Sequence, residues 1–171
     1  MCGMLCFGID PGIGRVGYGV VNQQGDALSA IDYGVITTPP GPPIAARLKE
    51  IFVTMEEYIA RHNPDVIAVE RLYFGKNTTT AEMVWQARGV LLLAAVRYGV
   101  IPYEPKPSEV KLAVCGYGNA EKFQVQGMVR NILNMPEIPK PDDAADALAI
   151  AITGLSMSMS IYDMRNGDCR R

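Results

Sequence analysis

Four acidic residues have the types and positions needed for a metal site. Asp10 and Glu70 each end a run of aliphatic residues, and Asp143 and Asp146 lie three positions apart where a late helix should begin. Acids at the ends of neighbouring parallel strands meet at one edge of a sheet, and a helix can bring two more to that edge. Because the candidate ligand atoms are all oxygen, the site favours Mg²⁺ or Mn²⁺ over Zn²⁺.

Each of these acids also has an ordinary structural interpretation. Asp10 precedes a Pro-Gly pair and could be a turn residue, and Glu70 could be a solvated strand end. Asp142 is predicted to be the helix N-cap, and Asp143 in the first turn could complement the helix dipole. Asp146 follows two alanines on a helix of small and apolar residues, so we expect it to face something polar.

Composition restricts the classes of function. The chain has 171 residues, 49% of them apolar and 20% charged, with a net charge of −2. One globular domain suits this length. The apolar fraction and the net charge exclude both a disordered chain and a strongly basic protein. A nucleic-acid partner must therefore be held by a local basic patch or by metal. The four cysteines form no CxxC pair and the single histidine is His62, which argues against a zinc site.

Neither a membrane segment nor a secretion signal is indicated. The apolar run over residues 90–96 is far too short to span a bilayer. The first six residues lack the basic segment and the length of a signal peptide. We therefore expect a cytoplasmic protein with no membrane partner.

The order of predicted elements is that of an α/β fold. Aliphatic runs bounded by turn residues predict five strands, over residues 5–10, 18–22, 28–37, 65–70 and 100–103. Apolar spacing and capping signals predict five helices, over residues 44–59, 79–98 and 107–116, after Asn119, and from 142 to about 155. This order predicts a mixed five-stranded sheet, its first three strands antiparallel, with helices on both faces. We expect one domain over residues 1–155 and a polar, flexible C-terminal tail over 156–171.

The second helix is apolar nearly all the way round. Such a helix is buried on two sides, and in a small domain the second side could be a subunit interface. A central core helix covered by its own chain explains the pattern equally well. The residues alone leave both interpretations open.

An ordered set of motifs between residues 5 and 153 resembles the RuvC family of Holliday-junction resolvases. Any one of these motifs is weak, but the complete set in this order is very specific. The motifs are Ile9-Asp10-Pro11-Gly12, Ala68-Val69-Glu70-Arg71, Gln86-Ala87-Arg88-Gly89, Lys111, Gly116-Tyr117-Gly118, Ala120-Glu121-Lys122, Gln124-Val125-Gln126 and Asp142-Asp143-Ala144-Ala145-Asp146-Ala147-Leu148.

This resemblance implies a fold, an activity and partners. The expected fold is ribonuclease-H-like, with the first and fourth strands adjacent, and the expected assembly is a homodimer. The implied activity is the cutting of two strands of like polarity in four-way junction DNA by metal-dependent hydrolysis, which would leave 5′-phosphate and 3′-hydroxyl ends. The branch-migration proteins RuvA and RuvB are the implied partners.

The resemblance also implies roles for the four acids in hydrolysis with two Mg²⁺ ions, or Mn²⁺ in their place. Asp10 would bridge the ions, and Glu70 and Asp146 would complete their ligand shells. Asp143 would hold or orient an ion or its water. The family often carries His at this last position, where a neutral imidazole could act as a base instead.

Basic and aromatic side chains are the candidates for DNA contacts. Lys111 and Lys122 match family motif positions and are expected to steady the scissile phosphate, while Tyr73 falls where the family presents an aromatic ring to the junction. Considered individually, the charges could be solvated surface residues and the Tyr-Phe pair a packed loop anchor. The full candidate set is Arg71, Tyr73, Phe74, Lys76, Lys106, Lys111 and Lys122, with Arg88 and Arg130 as further phosphate contacts.

Three other functions share parts of this pattern. The glycine-rich stretch after Asp10 resembles the phosphate loop of actin-like ATPases, but those need a second lobe that 171 residues cannot provide. A catalytically silent relative that binds branched DNA would not need all four acids. A YqgF-like nuclease with the same fold and another nucleic-acid substrate fits the motifs as well.

Overall fold

The protein contains a four-stranded mixed sheet. The computed structural model describes the backbone of residues 3–73 and 81–166, and side chains as far as residue 158. In the described residues the strands are β1 (Met4–Asp10), β2 (Arg15–Gln24), β3 (Ala27–Thr37) and β4 (Val66–Val69), in the order β3-β2-β1-β4. The first three pair antiparallel, and β4 lies parallel to β1. The predicted α/β architecture and the neighbouring first and fourth strands are confirmed.

The predicted fifth strand is wrong. Residues 100–103 contribute one isolated bridge, between Ala68 and Tyr103. The Tyr103 amide donates to the Ile67 carbonyl at 2.8 Å, and its carbonyl accepts from Val69 at 2.9 Å. The next residue that should donate to β4 is Pro105, which has no N–H, so the ladder lacks this bond and residues 100–103 do not form a strand.

Five helices in the described residues cover both faces of the sheet. They are α1 (Ile44–His62), α2 (Ala81–Arg97), α3 (Pro107–Cys115), α4 (Lys122–Ile132) and α5 (Asp142–Asn166). The N-cap position of α4 is Glu121 and not the predicted Asn119. Helix α5 continues well beyond residue 155, so residues 156–166 of the expected tail are helical. No helix among the described residues is both long and apolar enough to cross a membrane.

Alternation along the strands gives the sheet two separate apolar layers. Phe7 and Ile9 of β1 pack with residues of α1 and α2. Cys6 of β1 and Ala68 of β4 pack with α3, α4 and α5. Because successive strand residues point to opposite faces, even-numbered residues of β1 and β4 face α5.

Helix α5 lies unusually close to the strands because three glycines face it. A Cβ atom at Gly8 would lie 2.2 Å from the Ala147 carbonyl oxygen, and one at Gly17 would lie 2.1 Å from the backbone carbonyl oxygen of Asp143. At Gly19 it would lie 2.7 Å from the backbone nitrogen of Leu148. These strand positions therefore need glycine, and the first turns of α5 rest directly on β1 and β2.

Candidate active site

The end of β1 and the end of β4 place Asp10 and Glu70 side by side. The Glu70 amide donates to the Ile9 carbonyl at 3.2 Å, which continues the parallel pairing by one residue beyond β4. Both acids are even-numbered, so alternation directs them to the face that α5 covers. This parity was present in the sequence and was a usable signal for their convergence.

Helix α5 adds its two acids from above. Asp143 and Asp146, three residues apart, share one side of the helix. A Cβ at Gly17 would touch both the Asp143 backbone and, at 3.2 Å, Cβ of Asp10, so the start of α5 lies beside the end of β1. Asp10, Glu70 and Asp146 line one cavity of about 210 Å³.

The acids strongly perturb one another. Burial, followed by the charges of Glu70, Asp146 and Asp143, raises the pKa of Asp10 to about 8. Burial and Asp146 raise the pKa of Glu70 to about 7, although Lys111 opposes this change. Burial also raises the pKa of Asp146, against the lowering effect of its hydrogen bond to Lys122. At neutral pH the cluster therefore needs additional positive charge to ionise fully.

Two basic residues supply part of this charge. Nζ of Lys122 lies 2.9 Å from Oδ2 of Asp146 and 3.5 Å from Oδ2 of Asp142. Arg15 Nη2 lies 2.6 Å from Oδ2 of Asp143. Arg15 was missed by the motif analysis, although the tight turn after Asp10 predicts that the start of β2 returns to this end of the sheet.

Asp142 contributes to the site differently from the prediction. The carbonyl of Pro141 accepts from the Ala144 amide at 3.0 Å, which makes Pro141 the N-cap residue. Asp142 is therefore the first helical residue, and its predicted N-cap role is wrong by one position. Its exposed carboxylate lies near Lys122 instead.

The donor set fits a hard divalent cation by its chemistry and charge. Three carboxylates share the cavity, and oxygen ligands are those that Mg²⁺ and Mn²⁺ prefer. Among the side chains described, those of residues 3–73 and 81–158, no three acidic, cysteine or histidine groups are gathered closely enough to enclose an ion. Asp146 and Asp143 are instead paired with Lys122 and Arg15, so these pairs compete with a metal for the carboxylates.

The structure separates the predicted DNA contacts into groups. Lys111 and Lys122 line the acidic cavity, as their motif positions implied. Arg71 and Tyr73 line a second cleft of about 230 Å³ directly after Glu70, and Tyr73 is 59% exposed. Phe74 and Lys76 lie outside the described residues.

The remaining basic candidates are not among the residues that line the acidic cavity. Lys106 is exposed at the start of α3, where its amide donates to Oε2 of Glu109 at 2.8 Å. Arg130 bonds the side chain of Asn131. Arg88 is buried, with 8% of its surface exposed. This burial argues against the expected contact between Arg88 and a phosphate.

Comparison with known proteins identifies the family. The family model described as crossover junction endodeoxyribonuclease RuvC matches residues 6–154. The chain is 56% identical to the crossover junction endodeoxyribonuclease RuvC of Heliobacterium modesticaldum over 149 residues, which is 87% of this chain and 92% of that protein.

Solved structures agree. Thermus thermophilus RuvC is similar with a TM-score of 0.86 at 38% identity, covering 92% of this chain and 96% of that one. The T. thermophilus RuvC solved in complex with a Holliday junction substrate gives a TM-score of 0.84 at 35% identity over the same shares. By its sequence, its sheet order and its acidic cavity, this chain belongs to the RuvC family of crossover junction endodeoxyribonucleases.

Proposed function

We propose that this protein resolves Holliday junctions by cutting two strands of like polarity in four-way DNA. The observation that carries the proposal is the cavity in which Asp10, Glu70 and Asp146 face Lys111 and Lys122. Acids that can hold metal and lysines that can hold phosphate share one concave site, as phosphodiester hydrolysis requires. Support also comes from the similar T. thermophilus protein, which was solved with a junction substrate.

The acids are proposed to hold two Mg²⁺ ions, with Mn²⁺ as an alternative. Asp10 is central, because it interacts electrostatically with all three of the other acids. Bound divalent ions supply an activated water and positive charge for the attacked phosphate. Glu70 and Asp146 are the other proposed ligands, and Asp143, held by Arg15, orients a ligand or a water.

The lysines are proposed to bind and position the scissile phosphate. Hydrogen bonding to Asp146 raises the pKa of Lys122, which keeps its ammonium charged. Lys122 is half exposed at the cavity, where a phosphate can reach it, and Lys111 lies beside Glu70. Arg71, Lys106, Phe74 and Lys76 are proposed as further DNA contacts, with Tyr73 stacking on an unpaired base.

Symmetric cutting requires two active sites. We therefore propose a homodimer that acts with the branch-migration proteins RuvA and RuvB, as its family membership suggests. A catalytically silent relative that binds branched DNA is less consistent with this site, because binding alone would not require several buried acids that destabilise one another. A YqgF-like nuclease with another substrate is distinguished by the shape of the nucleic acid that it prefers to cut, since it is not expected to select four-way junctions.

The test compares DNA shapes and metals. The protein is incubated with a synthetic four-way junction or with an equal-length duplex, in Mg²⁺, in Mn²⁺ and without divalent ions. We expect paired nicks in the junction alone, only with metal, and products that a ligase can rejoin. Asp10→Asn is the matched control, because it removes the charge and keeps the volume; it should bind the junction and cut at least about 100-fold more slowly. Cutting by this variant, or equal cutting of duplex, contradicts the proposal.

A further inference from the structure

Arg88 of α2 lies behind the backbone of Glu70. Only 8% of its surface is exposed, the smallest fraction of any charged residue in the described part of the chain. Its Nε donates to the backbone carbonyl of Glu70 at 3.0 Å, and its Nη2 contacts a carboxylate oxygen of Glu104. A buried guanidinium needs such partners, because an unpaired buried charge is strongly destabilising.

The bond to Glu70 replaces a strand bond that the sequence cannot make. Glu70 donates its amide to Ile9, so the returning bond of this parallel ladder should come from the amide of residue 11. That residue is Pro11, which has no N–H. The Glu70 carbonyl, left without a strand donor, accepts from Arg88 instead.

Glu104 ties this arginine to the neighbouring chain segment. The segment is itself fixed to the residues around Glu70, since the Arg71 amide donates to the Pro105 carbonyl at 2.9 Å. The planar guanidinium can bond two partners in fixed directions, whereas a lysine ammonium cannot reproduce that fork. The backbone that carries the Glu70 carboxylate is therefore held from both sides.

We infer that Arg88 and Glu104 form a positioning pair that aims the Glu70 carboxylate into the acidic cavity. This inference rests on the proposed nuclease function. It assigns to Arg88 a role different from the phosphate contact that its charge suggests. Arg88 lines the floor of the cleft beside Tyr73, so the two roles need a direct test.

The test separates binding from cutting in Arg88→Lys. Junction affinity is measured without divalent ions at several salt concentrations, and the cutting rate is measured in Mg²⁺ at saturating protein. We expect the rate to fall about 10- to 100-fold, as for other residues that orient metal ligands, with the affinity within twofold of wild type. The rise in melting temperature caused by Mg²⁺ should also shrink. Weaker binding with a salt slope lower by about one and an unchanged saturated rate would overturn the inference.

Two further variants complete the design. Glu104→Gln keeps the shape of the pair and removes its charge, so we expect slower cutting at unchanged affinity; tighter DNA binding would instead mean that it frees Arg88 for phosphate. If Arg88→Lys does not fold, Glu104→Gln is used for the same comparison of junction affinity with cutting rate. Arg61→Lys, at an exposed arginine of α1 whose guanidinium lies over the Tyr58 ring, is the control and should change neither quantity. Failure of the wild type to cut junctions would refute the proposed function, whereas cutting by Arg88→Lys at the wild-type rate would refute only this inference.

Discussion

Asp10 shows how one residue links the stability of the protein to the binding of metal. Its pKa lies at about 8, above its ordinary value of 3.8, because it is buried among other acids. The folded protein therefore holds this proton more tightly than the unfolded chain does. The resulting stability is present below the unfolded pKa and is lost as the pH rises towards the folded pKa. Glu70, whose pKa lies at about 7, acts in the same direction.

We accordingly predict that the melting temperature of the metal-free protein falls as the pH rises from about 5 to about 8. Asp10→Asn should flatten this dependence, because the amide does not ionise. Mg²⁺ should raise the melting temperature more at pH 8 than at pH 6, since it favours the ionised cluster. Thermal unfolding with and without Mg²⁺ measures all three effects. A melting temperature that rises over this pH range without metal contradicts the assignment.

The packing of α5 on the sheet determines whether its two acids reach the site. Gly17 is the most sensitive contact, because an added Cβ would lie 2.1 Å from the Asp143 carbonyl oxygen. Helix backbone cannot be displaced there without moving Asp143 and Asp146. The same glycines that allow the close packing therefore also set the positions of Asp143 and Asp146, the acids that we propose for the site.

We predict that Gly17→Ala destabilises the protein by about 1–3 kcal/mol, as overpacked core positions do, and slows junction cutting. Gly127→Ala in α4 is the matched control, since nothing lies within 4 Å of its added Cβ. It should be stabilising by about 0.5–1 kcal/mol because alanine favours the helix. Chemical denaturation measures both changes. Wild-type stability of Gly17→Ala would mean that α5 can shift without cost.

Not every element could be predicted from its own residues. The end of α5 was expected near residue 155, but Ser156 and Ser158 donate their hydroxyls to carbonyls one turn earlier, at 3.0 and 2.9 Å, within a continuing helix. The missing fifth strand follows from Pro105, whose effect depends on its register against β4. Both errors arise because the effect of a serine or proline residue on a helix or strand depends on which hydrogen-bonding groups lie beside it in the folded chain.

At the scale of the whole molecule, α2 is the best candidate for a subunit interface. Leu91 and Ala95 are buried on the side that packs with α1. Leu93 and Val96 are 56% and 53% exposed on the same helix. The apolar surface of α2, for which the sequence left two interpretations open, therefore has one side that packs with α1 and one side that is exposed. Paired incision needs a partner, and this uncovered side is the surface we assign to it.

We predict that the protein is a dimer at micromolar concentration and that Leu93→Asp shifts it to monomer, because a charge cannot be buried there without a partner. The monomer should nick one strand and lose paired incision. Sedimentation velocity and a cruciform plasmid assay, which separates nicked from linear product, measure the two effects. Val53→Asp, an apolar residue 42% exposed on α1, should leave the dimer intact. A wild type that sediments only as monomer contradicts this model.

The acids, the lysines of the cavity and most of the sheet order could be recognised from the amino-acid sequence, because strand alternation, turns and motif spacing are local properties. The glycines of β1 and β2 are visible in the sequence, but the sequence does not show that they allow α5 to pack close to the strands. The partners of the basic side chains could be seen only in the folded molecule: Arg15 pairs with Asp143, Lys122 with Asp146, and Arg88 with the Glu70 carbonyl and the Glu104 carboxylate. These partners are far apart along the chain, and only the packing of the helices on the sheet brings them together. Whether a basic residue faces DNA or holds an acid in place is therefore a property of the fold.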